Sequence, residues 1–123
     1  MAGTVMVVDD SASLREAVRA TLEAADYSVV EAENGADALL QLGCRQVDLV
    51  LCDVRMPVMD GIEFLRKLKK TSRHRYVPVI MLTTESAEQR RLEGQLAGAR
   101  AWLVKPFRAE QIVHAVSKLI LFR

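Results

Sequence analysis

"LVLCDVRMPVMDG" fills positions 49–61, and how it is read decides the fold. Residues 49–52 are apolar without a break, Asp53 follows at once, and Pro57 and Asp60-Gly61 close the stretch. Four apolar residues are too few for a helix. Hydrophobicity that is continuous rather than alternating suits a strand covered on both faces, as in a parallel sheet. Ligands of open parallel sheets bind beyond the carboxyl ends of the strands, so a carboxylate delivered there marks the place where chemistry is expected.

Working outward, similar short runs occupy 5–8, 79–82 and 102–104; a weaker one, 28–32, mixes in Ser28 and Glu31 as an edge strand would. Helical spacings lie between them. Leu14, Val18, Leu22 and Ala25 make one stripe, with Ser13 and Glu16 expected as its capping box. Ala36, Leu39, Leu40 and Leu42 make a second, opened by "ENG" at 33–35, and Ile62, Phe64, Leu65 and Leu68 a third. The fourth, 87–97, is the weakest, with Leu92 and Leu96 as its main apolar residues; Ile112, Val116, Leu119 and Ile120 make the fifth. Strand and helix thus alternate five times. Parallel strands joined by right-handed crossovers place helices on both faces, so the expected architecture is a doubly wound, three-layer α/β domain.

Composition narrows the classes. The chain has 123 residues, half of them hydrophobic and 27% charged, with a net charge of +1. That length fits one domain. A balanced charge gives no field for nucleic acid or a membrane surface, and no apolar run approaches a membrane span. Positions 1–4 show no leader, and Cys44 and Cys52 form no framework, which suits a reducing, cytoplasmic setting. The basic run "RKLKKTSRHR" at 66–75 reads as a solvated helix face and loop, and His74 and His114 as ordinary surface or helix residues. No phosphate-binding glycine loop or nucleophile elbow is present.

The strand ends carry the chemistry. The first run ends in Asp9-Asp10, the third in Asp53, the fourth in Thr83-Thr84 and the fifth in Lys105-Pro106. Two carboxylates at ~4 Å repel by roughly 4 kcal/mol at an effective dielectric near 20. Lys105 supplies one compensating charge, and a hard divalent cation on an all-oxygen site, Mg²⁺ or Mn²⁺, would supply two more. Carboxylate, hard cation and lysine together suit a phosphoryl group. Asp53, at the end of the most buried strand, is the candidate nucleophile, forming an acyl phosphate. Lys105 and Thr83 would meet its equatorial oxygens.

"VVDD" at 7–10, "CDVRMPVMDG" at 52–61, "MLTT" at 81–84 and "KPF" at 105–107, in this order and on these elements, resemble the receiver domain of bacterial two-component response regulators. The resemblance covers essentially all of the chain. It implies a flavodoxin-like (βα)5 fold with a parallel sheet in the order 2-1-3-4-5. It implies that Asp53 accepts phosphoryl from a histidine kinase. Asp10, Asp53 and the Arg55 backbone carbonyl would bind Mg²⁺ directly and Asp9 through water. The Lys105–Pro106 bond would be cis, and Thr83 with the aromatic at 102 would form the switch that reshapes the face of helix 4, strand 5 and helix 5. The protein would be a phosphoacceptor rather than an enzyme, assisting only its own phosphorylation and dephosphorylation.

"MLTTES" at 81–86 and "AWLVKPF" at 101–107 are most similar to the stand-alone CheY-like chemotaxis regulators. That implies a single monomeric receiver domain, 1–123, with no output domain. Its partners would be a CheA-like kinase, the flagellar motor switch, a phosphatase or a histidine phosphotransfer protein, with no nucleic acid or membrane. A phosphorelay intermediate or phosphate sink is the alternative, and a scaffold that never takes phosphoryl is the reading from another class. Two positions depart from the family's commonest pattern. Trp102 replaces a tyrosine or phenylalanine with a bulkier ring that has a donor but no hydroxyl. Arg55 and Glu85 carry opposite charges at positions that flank the phosphoryl group, and are expected to pair and slow its hydrolysis. Leu121 and Phe122 are surplus to the fifth helix's stripe and could serve a partner or a second chain.

Overall fold

The structure, a computed structural model, describes residues 3–84 and 88–120. Five strands and five helices alternate: β1 (Gly3–Val8), α1 (Ala12–Ala24), β2 (Tyr27–Ala32), α2 (Gly35–Leu42), β3 (Leu49–Asp53), α3 (Gly61–Leu68), β4 (Val79–Thr83), α4 (Glu88–Ala97), β5 (Ala101–Val104) and α5 (Ala109–Ile120). The sheet is parallel throughout, in the order β2-β1-β3-β4-β5. This is the expected flavodoxin-like fold, with β2 on an edge.

The unbroken apolar runs follow from burial on both faces. Val5, Val7, Leu49, Leu51, Ile80 and Leu82 point to one side, where they meet Val18 and Leu22 of α1 and Ile112, Val116 and Ile120 of α5. Met6, Val8, Val50, Cys52, Val79 and Met81 point to the other, against α2 and α3. Every residue from Val5 to Val8 and from Leu49 to Cys52 is fully buried. Each such side chain contributes about 1.5–3 kcal/mol relative to exposure.

Four expectations need correction, the last of them in α4. The α1 cap is Ser11, whose Oγ accepts from Leu14 N at 3.2 Å; Ser13 lies inside the first turn, two residues too late to cap. Leu40 is 83% exposed, and α2 buries Ala38 and Leu42 instead. His74 is buried rather than on the surface, its Nε2 lying 2.9 Å from the carbonyl oxygen of Arg45, so it joins the loop after α3 to the loop after α2.

The remaining caps agree with local chemistry. Asn34 accepts from Asp37 N to open α2, and Asp60 from Glu63 N to open α3. In α4 the two leucines face outward, Leu92 at 55% and Leu96 at 79% exposure, and among the described side-chain positions Gly94 is the buried one. The apolar pair that marked this helix in the sequence therefore does not seat it. Leu121 and Phe122, read as surplus apolar residues, lie outside the described residues.

Candidate functional site

Register brings the strand ends together. Val8 lies beside Cys52, and Asp53 beside Leu82, so Asp9, Asp53 and Thr83 emerge at one edge of the sheet. Lys105 follows β5 directly; its backbone N–H donates to the Thr83 carbonyl at 2.6 Å, and its bond to Pro106 is cis. Lys105 Nζ lies 2.9 Å from Asp9 Oδ2 and 3.4 Å from Asp53 Oδ1. One carboxylate oxygen from each of Asp9, Asp10 and Asp53 falls within 4.8 Å of the other two. Three segments distant in sequence thus deliver three carboxylates and an ammonium to one place, and Thr83 ends the neighbouring strand.

The carboxylates are not equivalent. Asp9 is fully buried, and both of its oxygens are engaged: Oδ1 accepts from Ser11 N at 2.9 Å and Oδ2 from Lys105. Asp10 is exposed and Asp53 is buried at 7% exposure. Burial, and next the negative charge of Asp9, push the Asp53 carboxyl up to about 6, against the opposing pull of Lys105. Burial works to lower the pKa of the Lys105 ammonium. The hydrogen bond to Asp9 and the charge of Asp53 outweigh it and hold the group above its ordinary value. Burial, and then the charge of Asp53, also push the Cys52 thiol well up, and it donates to the Asp53 carbonyl. Cys52 is a core residue here, with no thiolate chemistry.

The site is held by its loops. Gly61 N donates to the Val54 carbonyl at 2.8 Å, and a Cβ at Gly61 would overlap the Asp53 carbonyl oxygen, so only glycine fits where α3 begins. Val58 has φ +72°, and Met59 N reaches back to the Pro57 carbonyl at 2.7 Å, a γ-turn in its strained, positive-φ form. Thr83 is buried and Thr84 exposed. Arg55 is exposed at the start of the site loop; Glu85, its expected partner, lies outside the described residues.

Sequence reading missed Arg15. Its Nη1 donates to the Asp9 carbonyl at 2.6 Å and its Nε to Glu31 on β2 at 3.0 Å; Arg19 clasps the same glutamate at 2.7 Å. The Arg19 hydrogen bond, chiefly, holds the Glu31 carboxyl below its usual range. In the sequence, Arg15 is one more charge on a polar helix face, and nothing local marks it.

Three carboxylate oxygens in one small cluster, with a lysine on their flank, are a fit donor set for a hard cation such as Mg²⁺. The model of the response regulator receiver domain family matches residues 5–117. This chain belongs to that family. The receiver domain is 38% identical over 116 residues, 94% of its length, to the transcriptional regulatory protein ResD of Bacillus subtilis, of which the match covers 47%. The chain thus spans about half the length of the curated relatives it matches.

Among solved structures it is similar to the chemotaxis protein CheY4 of Vibrio cholerae, with 38% identity, a TM-score of 0.91, and coverage of 95% of this chain and 98% of that one. It is also similar to the receiver domain of the sensor histidine kinase PA1611 of Pseudomonas aeruginosa. There the identity is 26%, the TM-score 0.88 and the coverage 96% and 97%, and a magnesium ion is coordinated in the active-site cleft of that protein. These relatives carry different outputs, and the expectation of chemotaxis in particular is not shown by them. Among the described residues no helix is long and apolar enough to cross a membrane.

Proposed function

We propose that this receiver domain is the phosphoaccepting switch of a two-component system. Asp53 attacks the phosphorus of a phosphohistidine on a histidine kinase; the P–N bond breaks, an O–P bond forms, and the imidazole leaves with its electron pair. Asp10, Asp53 and the Arg55 carbonyl would hold Mg²⁺, with Asp9 acting through water, because both Asp9 oxygens already have partners. The cation, when bound, supplies charge neutralisation for the phosphoryl oxygens. Lys105 holds its ammonium beside Asp53 and offsets the charge that accumulates there, and the Thr83 hydroxyl reaches the phosphoryl group from the next strand.

The observation that carries this reading is the meeting of Lys105 with Asp9 and Asp53 inside the three-carboxylate cluster. Acetyl phosphate with Mg²⁺ tests it by mass spectrometry. One phosphoryl group is expected on the wild type and none on Asp53→Asn. No gain in either would leave the non-phosphorylated scaffold as the function.

For the output we favour chemotaxis, supported by the CheY4 likeness and by "MLTTES" and "AWLVKPF". The ResD likeness favours a transcriptional output instead. Capture of a flagellar motor switch protein by the phosphorylated form only supports the first; no capture by either form removes it. Rapid return of phosphoryl to a histidine phosphotransfer protein would support the relay reading.

A further inference from the structure

Trp102 stands on β5 with its side chain against the α2–α3–α4 side of the sheet, packed on that core. Its indole Nε1 is completely buried and has no hydrogen-bond partner. The benzo edge abuts α4 at Gly94, where a Cβ would lie 2.5 Å from Trp102 Cζ3 and 3.4 Å from Cη2. Real side chains do not approach so closely, so any residue larger than glycine forces the ring to move. The Arg91 guanidinium, one turn earlier on α4, sits 6.0 Å from the ring centroid and covers it from outside. Glycine in a helix interior is less favourable than alanine, and in α4 it stands at the one position that is buried among the described residues.

We propose that Gly94 is a positioning residue for Trp102: the missing side chain leaves a notch in α4 that seats the indole inside the resting protein. Leu92 and Leu96 lie on the opposite side of the helix and leave α4 free to approach through its smallest residue. The ring is thus partly buried against α4, covered by Arg91, with its Nε1 donor inside and unpaired. The seat itself does not depend on the phosphoacceptor reading; its meaning for switching does. A cavity of about 140 Å³, lined by Arg91, Gln95, Ala99, Arg100, Ala101 and Trp102, lies beside the ring and gives it somewhere to go when the notch is filled.

Trp102 is the only tryptophan, so its fluorescence reports on the seat alone. In the full chain, without phosphodonor, the wild type is expected to emit as a shielded indole with weak acrylamide quenching. Gly94→Ala should shift the emission to the red and raise the quenching constant severalfold. Urea unfolding followed by circular dichroism supplies the second readout. Gly94→Ala should lower the midpoint when Trp102 is present, and leave it unchanged or raise it on a Trp102→Phe background, where alanine's better helix propensity remains. Equal quenching in wild type and Gly94→Ala, or the same midpoint loss on both backgrounds, overturns the notch. Failure of phosphoryl incorporation at Asp53 would sink the phosphoacceptor reading and leave these two results standing.

Discussion

Lys105 Nζ hydrogen-bonds Asp9 Oδ2 at 2.9 Å across 96 positions of sequence, and the same ammonium lies 3.4 Å from Asp53. The lysine is thus shared, more tightly with the buried carboxylate that has no exposure than with the acceptor. Its charge is what lowers the Asp53 carboxyl toward its ionised form against burial and Asp9.

Replacing Lys105 with methionine should therefore raise the Asp53 carboxyl above about 6, its level in the wild type. Phosphoryl uptake needs the carboxylate. In the metal-free wild type the carboxyl is expected to titrate near that value, and in Lys105→Met it should titrate at higher pH. An NMR pH titration of the Asp53 carboxyl carbon without Mg²⁺ measures both. Identical profiles would show that Lys105 does not tune the acceptor.

The raised Asp53 carboxyl also ties stability to pH. Its folded value of about 6 lies above the ordinary 3.8, so the folded state holds more protons between the two. Stability from this group is full below the lower value and is lost as pH rises through the upper one. Asp53→Asn should remove that loss and stabilise the metal-free protein at pH 7.5 by ~1–2 kcal/mol, after allowing for solvent screening at the site's mouth. Urea midpoints at pH 5 and 7.5 decide it: the variant should gain at the higher pH only.

Arg15 poses two opposite expectations. As a charge near the acid pair, its removal would tighten Mg²⁺ binding; as the donor that holds the Asp9 carbonyl at 2.6 Å, its removal would loosen the site. The second effect should win, because Arg15 bonds the Asp9 backbone directly, whereas its charge is partly shared with Glu31. Arg15→Gln is expected to weaken Mg²⁺ binding ~10-fold, as loss of a supporting partner usually does. Titration calorimetry reads the sign directly, and tighter binding would assign Arg15 an electrostatic role only.

Val58 holds φ +72° with a β-branched side chain that is 81% exposed. The left-handed region costs such a residue about 1–2 kcal/mol, a penalty glycine avoids. Val58→Gly should raise the thermal midpoint without altering the spectrum of Trp102. A lowered midpoint would mean that the γ-turn is held by the valine side chain rather than in spite of it.

The sequence by itself determined the alternation, because apolar runs, caps such as Asn34 and Asp60, and the residues at each strand's end are local features. Asp9, Asp10, Asp53, Thr83 and Lys105 were legible for that reason: a parallel sheet puts every such end on one edge. Tertiary structure alone decided which face each helix offers and what lies beneath it. Leu92 and Leu96 read as the buried stripe of α4, yet close approach to Trp102 needs the smallest side chain inward, and Gly94 sits about 200° around the helix from that pair. His74 and Arg15 were invisible for the same reason. Whether a polar group is buried and paired depends on a carbonyl delivered by another segment, Arg45 for one and Asp9 for the other, and no spacing along the chain encodes that meeting.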